Sequence, residues 1–239
     1  MSLQLEHPPP IDQEGRPGTP VRISHAGVGS LLLDPARDTF DMAVQAKLLA
    51  LEDRLRSAKL RALGIQQVIL GMNNLLVTFD PSILHPLRAR DTLAALWAST
   101  EAKVIKGKSV VFDVIYGGEQ GEDLPDVADT LGLSIADVVR MHCEAEYTVA
   151  SIGSMPGFPY IAGLPASLHI RRRSVPRLNL ASGSVIIGGA QASVLPMAGP
   201  CGWHVLGATT TKLFDLAAER ASLLAPGDQV RFNAIKVMS

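Results

Sequence analysis

The chain has 239 residues, with 22 Lys and Arg against 23 Asp and Glu, a formal net charge of -1, and 47% hydrophobic, 19% charged and 5% aromatic residues. That balance supplies no global basic field, which argues against nucleic acid or an anionic membrane as the main partner, and its apolar content excludes an acidic-tail or disordered class. A mean hydropathy of +0.21, carried by Ala, Leu, Val and Ile, suits one large or two small folded domains and a surplus of apolar surface of the kind that subunit interfaces bury.

Residues 1–20 contain Pro8, Pro9, Pro10, Pro17 and Pro20 but no basic segment followed by an apolar one, so they read as a flexible leader and not as a signal peptide. "VRISHAGVGSLLLD" (residues 21–34) predicts two short strands around Gly27 and Gly29. Between Asp41 and Ala58, Val44, Leu48, Leu51 and Leu55 fall on one helical stripe. "QQVILGMNNLLVTFDP" predicts a hairpin turning at Asn73 and Asn74, and Asp91 to Ala102 a second helix with Leu93, Leu96 and Trp97 inward. Strand, helix, hairpin and helix describe a small α+β sandwich over 21–104, with a boundary near residue 105.

The remainder, 105–239, differs in texture. It opens with a strand over Ser109 to Tyr116 and continues as many short β-rich runs separated by Gly and Pro, the pattern of a β-barrel or sandwich. Ser134 followed by Asp137 resembles a capping box, and it precedes a helix that carries Ile135, Val138, Val139 and His142 on its apolar stripe. The uncharged stretches Ala62 to Phe79 and Leu178 to Thr211 are interrupted by amides, or by Gly and Pro, and so are not membrane spans. Cys143 and Cys201 form no CxxC pair and no metal-ligand spacing, which suits a reduced, cytoplasmic protein with no metal site.

Five features carry chemistry. His142, with Glu144 and Glu146 after it, is either a pocket acid or base or a histidine capping its own helix. "YGGEQGEDLP" places Glu119, Glu122 and Asp123 among three glycines directly after a strand, which fits close approach to a ligand or a plain strand-to-helix turn. In "SMPGFPYIAGLP", Pro156 and Gly157 fit a type II turn that holds Phe158 and Tyr160 on a stiff loop, as a pocket wall or a satellite core. Arg171, Arg172, Arg173 and Arg177 are the dense basic cluster, suited to carboxylate or phosphate or simply solvated. Gly188, Gly189 and Gln191 could present backbone and amide groups to a polar ligand. No nucleophile elbow, HExxH or dinucleotide fingerprint is present.

The stretch "IYGGEQGEDLPDVADTLGLSIADVVRMHCEAEYTVASIGSMPGFPYIAGLP", with "RRRSVPR", "GSVIIGGAQASVLP", "GWHVLG" and "LLAPGDQVRF", resembles the carboxyltransferase subunit 1 family. That family includes allophanate hydrolase subunit 1, the B subunit of bacterial 5-oxoprolinase and the KipI-type inhibitor of a histidine kinase. "GVGSLLLD" and "NNLLVTFDP" extend the likeness to roughly residues 21–235.

The resemblance implies a ferredoxin-like N-terminal subdomain and a cyclophilin-like C-terminal barrel. It also implies a homologous larger subunit 2 as partner, with a third lactamase-like subunit in some members. The activity implied is ATP-dependent opening of a lactam, 5-oxo-L-proline giving glutamate, with ATP and Mg used at the level of the complex; a urea or allophanate pathway and kinase inhibition are the alternatives. No biotin attachment motif occurs in the chain. Carried over onto this sequence, the resemblance assigns His142, Glu119 and Gln191 to catalysis and Asp123, Arg172, Arg177, Phe158 and Tyr160 to substrate or phosphate binding. The chain departs from the family pattern at Val28, Ala190, Ala192, Cys201 and Ala208, where an Asp, Gly, Thr, Gly and Arg are usual, which points to an altered substrate or lost catalysis.

Overall fold

The computed structural model describes residues 21–35, 40–102 and 107–238; the leader assigned to residues 1–20 lies outside them. The chain divides into two compact units, Met1–Val104 and Ile105–Ser239.

In the first unit, β1 (Arg22–His25) and β2 (Ser30–Asp34) form the expected hairpin. Helix α1 (Met42–Leu55) starts where the Asp41 carboxylate accepts hydrogen bonds from the Ala43 and Val44 amides, at 2.7 and 3.2 Å. A short helix α2 (Ala58–Ala62) leads into β3 (Ile65–Leu70) and β4 (Leu75–Phe79), and α3 covers Pro86–Ala98. Sheet order is β1-β2-β4-β3, antiparallel throughout. From β2 to α3 this is a ferredoxin-like run, but the strand flanking β2 arrives through the N-terminal hairpin, so the sandwich is a permuted one. Leu31, Leu33, Leu48, Leu51, Leu75 and Val77 build its core.

Helix α3 begins five residues before the predicted start. His85 accepts from the Leu87 amide and Pro86 occupies the first turn, where its missing N–H costs nothing. Gln45, fully buried on α1, holds the β3–β4 turn: its amide donates to the Gly71 carbonyl (3.0 Å) and its oxygen accepts from the Asn73 N–H (2.7 Å).

In the second unit, β5 (Ser109–Gly117) is followed by a 3₁₀ turn (Gly118–Gly121), α4 (Leu124–Leu131) and α5 (Ile135–Glu144). Then come β6 (Tyr147–Ile152), β7 (Pro159–Ala162), β8 (Arg177–Leu180), β9 (Ser184–Gly188) and β10 (Gln191–Val194). β11 (Gly199–Cys201), β12 (His204–Ala208) and β13 (Gln229–Met238) complete it. Seven strands close into a barrel, β10-β7-β6-β13-β5-β12-β9, sealed by the β9–β10 hairpin, while β8 and β11 pair separately.

All barrel pairs are antiparallel except β5–β13, which run parallel with a bulge between Ala234 and Lys236. Alternation along β5 sends Phe112, Val114 and Tyr116 into the barrel, where they meet Phe232 and, from the α5 stripe, Val138, Val139 and His142. Ser134 caps α5 as its sequence predicts, accepting from the Asp137 amide at 3.1 Å.

Candidate functional site

His142 does not reach a cleft. Its position on the core-facing stripe of α5 places the ring at 0% exposure, 4.4 Å from the Phe232 ring and flanked by Tyr147. Nδ1 shares a 2.8 Å hydrogen bond with the Tyr116 hydroxyl, and Nε2 has no partner. Burial pushes its pKa down to about 3, so the ring is neutral at physiological pH. A side chain enclosed in this way is part of the barrel core, in contact with Tyr116, Tyr147 and Phe232.

The glycines of "YGGEQGEDLP" also serve the protein itself. At Gly117, φ is 72°, and a Cβ there would strike the Met238 carbonyl; one at Gly121 would strike the Leu206 carbonyl. The close approach is therefore that of strand to strand, and it brings the turn against β12. Its consequence is the burial of Asp123, whose carboxylate accepts from Arg173 (2.7 Å), twice from Arg177 (2.7 and 2.8 Å) and from the Val205 amide (2.8 Å). Arg177 Nε also pairs with Glu122 at 2.7 Å. Burial works to raise the Asp123 carboxyl, yet the Arg177 hydrogen bonds, the Val205 amide and the two arginine charges together hold it below the usual carboxylate range. Asp123 and Arg177 thus satisfy each other and leave little capacity for a ligand, and Arg173, not among the site residues that the resemblance assigns, is a full member of the cluster.

Phe158 and Tyr160 follow the predicted turn, with Gly157 at φ 76° and the Phe158 amide bonded to the Met155 carbonyl at 3.1 Å. Phe158 is buried in a satellite core, edge-on to Trp203 (5.8 Å) and Tyr160 (5.1 Å). Arg172 lies over Trp203, its guanidinium carbon 5.3 Å from the ring centroid. Phe158, Ile161 and Leu164 are all buried, so of the two roles its sequence allows the loop takes that of a satellite core. Gln191 begins β10 opposite Gly188, at the hairpin end of β9.

The opposite end of β9 borders an open cleft of about 850 Å³. It is lined by the buried Leu180 and Val205, by Ser184, Thr209, Thr210 and Thr211, by the carboxylates Asp113, Glu119 and Glu122, and by Ile115 and Ile235. Of the nominated residues, Glu119 alone lines this cleft. Ala208, one of the departures from the family pattern, is in its wall, so the arginine usual there would have entered it. Lys212 is held by Asp215 at 2.8 Å. The Thr209–Lys212 wall carries no signal in the sequence, because a short run of hydroxyls has no spacing that marks a pocket.

Among the described residues, no helix is long and apolar enough to cross a membrane, and no group of three or more His, Cys, Asp or Glu stands close enough to hold a metal ion. A triphosphate also fits poorly: the cleft carboxylates repel it, and Arg173 and Arg177 are spent on Asp123.

The second unit is thus a closed seven-stranded barrel with a polar cleft lined in part by residues of β5, β9 and β12. The solved Kluyveromyces lactis urea carboxylase shares the fold, with a TM-score of 0.78 and 21% identity over 90% of this chain and 22% of that one. The model for "Carboxyltransferase domain, subdomain C and D" matches residues 21–224, and the chain belongs to that family. It is 40% identical over 213 residues to the B subunit of 5-oxoprolinase from Haemophilus influenzae, covering 89% of this chain and 95% of that protein. With the B subunit of the Escherichia coli O157:H7 5-oxoprolinase the identity is 43% over 169 residues, covering 71% and 78%.

Proposed function

We propose that the chain is the small subunit of an ATP-dependent 5-oxoprolinase, converting 5-oxo-L-proline to L-glutamate in a complex with a homologous larger subunit and a third, lactamase-like one. The observation that carries the reading is the 40% identity extending over 95% of the Haemophilus influenzae 5-oxoprolinase component. The geometry supports a part in a complex and not activity alone: the buried histidine is closed off, the Asp123–Arg177 pair is internally satisfied, and the open cleft offers Glu119 and threonine hydroxyls without a base oriented by a third group. ATP and its magnesium are then held by another subunit, and this chain supplies one wall of the lactam site, where hydroxyl and backbone groups orient a small N–C=O substrate.

The test is glutamate and ADP release from 5-oxo-L-proline plus ATP by this chain co-expressed with the two partner subunits, with urea in parallel. Glutamate formed only when this chain is present supports the reading. An intact complex that turns over urea, or hydrolyses ATP indifferently to the lactam, overturns it.

A further inference from the structure

His142 and Tyr147 are both enclosed in the barrel, at 0% and 1% exposure, and each keeps one polar atom without a hydrogen-bond partner in the protein, Nε2 of the histidine and the hydroxyl of the tyrosine. Their rings are neighbours, with centroids 5.5 Å apart and a tilt of 48°, and both pack on Phe232, yet their polar ends do not bond to each other. A buried hydroxyl left unpaired costs stability that a phenylalanine at the same place would avoid.

The inventory of donors fixes the proton on the histidine. Cys143 donates its S–H to the Tyr116 hydroxyl oxygen (3.5 Å), and the one hydrogen of that hydroxyl goes to Nδ1 (2.8 Å). Nδ1 is therefore the acceptor, and Nε2 carries the hydrogen. The Tyr147 hydroxyl lies within electrostatic reach of the Cys143 thiol and of Tyr116, so the polar groups of α5, β5 and β6 gather in one part of an interior otherwise built from residues such as Phe112, Val114 and Phe232. Nε2–H and the hydroxyl both call for a single group that accepts from the first and exchanges a hydrogen bond with the second. A neutral molecule with donor and acceptor capacity and the smallest volume suits a close-packed apolar core, and water is that molecule.

We infer that the barrel interior holds one structural water, accepting from His142 Nε2–H and hydrogen-bonded to the Tyr147 hydroxyl. It completes a chain that runs from Cys143 through Tyr116 and His142 to Tyr147, and it ties α5 to β6 as the Tyr116 hydroxyl ties α5 to β5. Cys143, half-buried, also lines an apolar groove of about 540 Å³ with Val139, Ala234 and Val237, and there the chain meets solvent.

The test uses the full chain and begins with Tyr147→Phe. With water on the hydroxyl, the change takes a partner from that water and should raise the unfolding constant about fivefold in urea titration. With the hydroxyl stranded, it removes an unpaired buried group and should leave the constant unchanged or lower it, which overturns the proposal. The second measurement needs no variant: nuclear magnetic resonance of the chain labelled with ¹⁵N-histidine should show His142 protonated on Nε2, with a slowly exchanging Hε2 proton that cross-relaxes with a long-lived water. A proton on Nδ1, or an Hε2 proton without cross-relaxation to water, overturns the proposal whatever the variant does.

Discussion

Replacing Asp123 with Asn preserves shape and removes the charge that two guanidinium groups share. The carboxylate accepts four hydrogen bonds, three from Arg173 and Arg177 and one from the Val205 amide. An asparagine has one acceptor oxygen for these donors, and its NH₂ faces N–H groups. Removing one member of a buried ion pair costs ~3–5 kcal/mol. Because Arg173 and Arg177 retain 30% and 19% side-chain exposure, water recovers part of this, and about 3 kcal/mol is expected for Asp123→Asn, a fall in Tm of roughly 6–12 °C. The solvent-facing Glu122→Gln should cost under about 1 kcal/mol. Urea titration at neutral pH, followed by near-ultraviolet circular dichroism, measures both. Since the folded pKa lies below the unfolded value near ~3.9, the Asp123 contribution is complete above that pH and lost as pH falls through the folded value; the gap between wild type and variant should narrow in acid. A loss below about 1 kcal/mol, or a gap that widens in acid, would refute the reasoning.

Two further outcomes follow from buried polar groups. His142, with its folded pKa pushed down to about 3, should show no imidazole titration by nuclear magnetic resonance between about pH 5 and 8. The unfolded chain takes up a proton near pH ~6.5 that the folded chain refuses, so this group's share of stability is complete above that pH and declines below it by up to ~1.4 kcal/mol per pH unit; a transition near the ordinary value contradicts the enclosed ring. In the first unit, Gln45→Leu strands the Asn73 N–H and the Gly71 carbonyl and should cost roughly 2–3 kcal/mol in urea unfolding, whereas a change under about 0.5 kcal/mol means that water enters the turn.

What the sequence disclosed was local. The α5 stripe and its Ser134 cap, the Asn73–Asn74 hairpin and the Pro156–Gly157 turn are each written within a short window, and each is present in the fold. Helix α3 starts earlier than its apolar spacing predicts because its first turn, Pro86 to Arg90, has only Ala89 inward; the signal for that start is the proline itself. The barrel's strand order, and the edge of the first sheet, depend on pairings that no window contains. The candidate site is less legible for the same reason. Asp123 meets Arg173 and Arg177 across 50 and 54 residues, and a charge run looks identical whether it greets solvent or a buried carboxylate. The spacing of the His142 stripe marks it as core-facing, and so it is; that the ring is wholly enclosed there follows from the closing of the barrel, which composition alone does not reveal.

The parallel pairing of β5 with β13 also sets a schedule for synthesis. Roughly 110 residues lie between the end of β5 at Gly117 and the start of β13 at Gln229. At ribosomal speeds of ~5–20 residues per second, β5 waits about 6–22 s for the strand that completes its hydrogen bonding, with Val110, Val111, Phe112 and Val114 adjoining an open edge. Among the steps of making this protein, that interval is where aggregation threatens most and where a chaperone or an early-bound neighbour would have the greatest effect on yield.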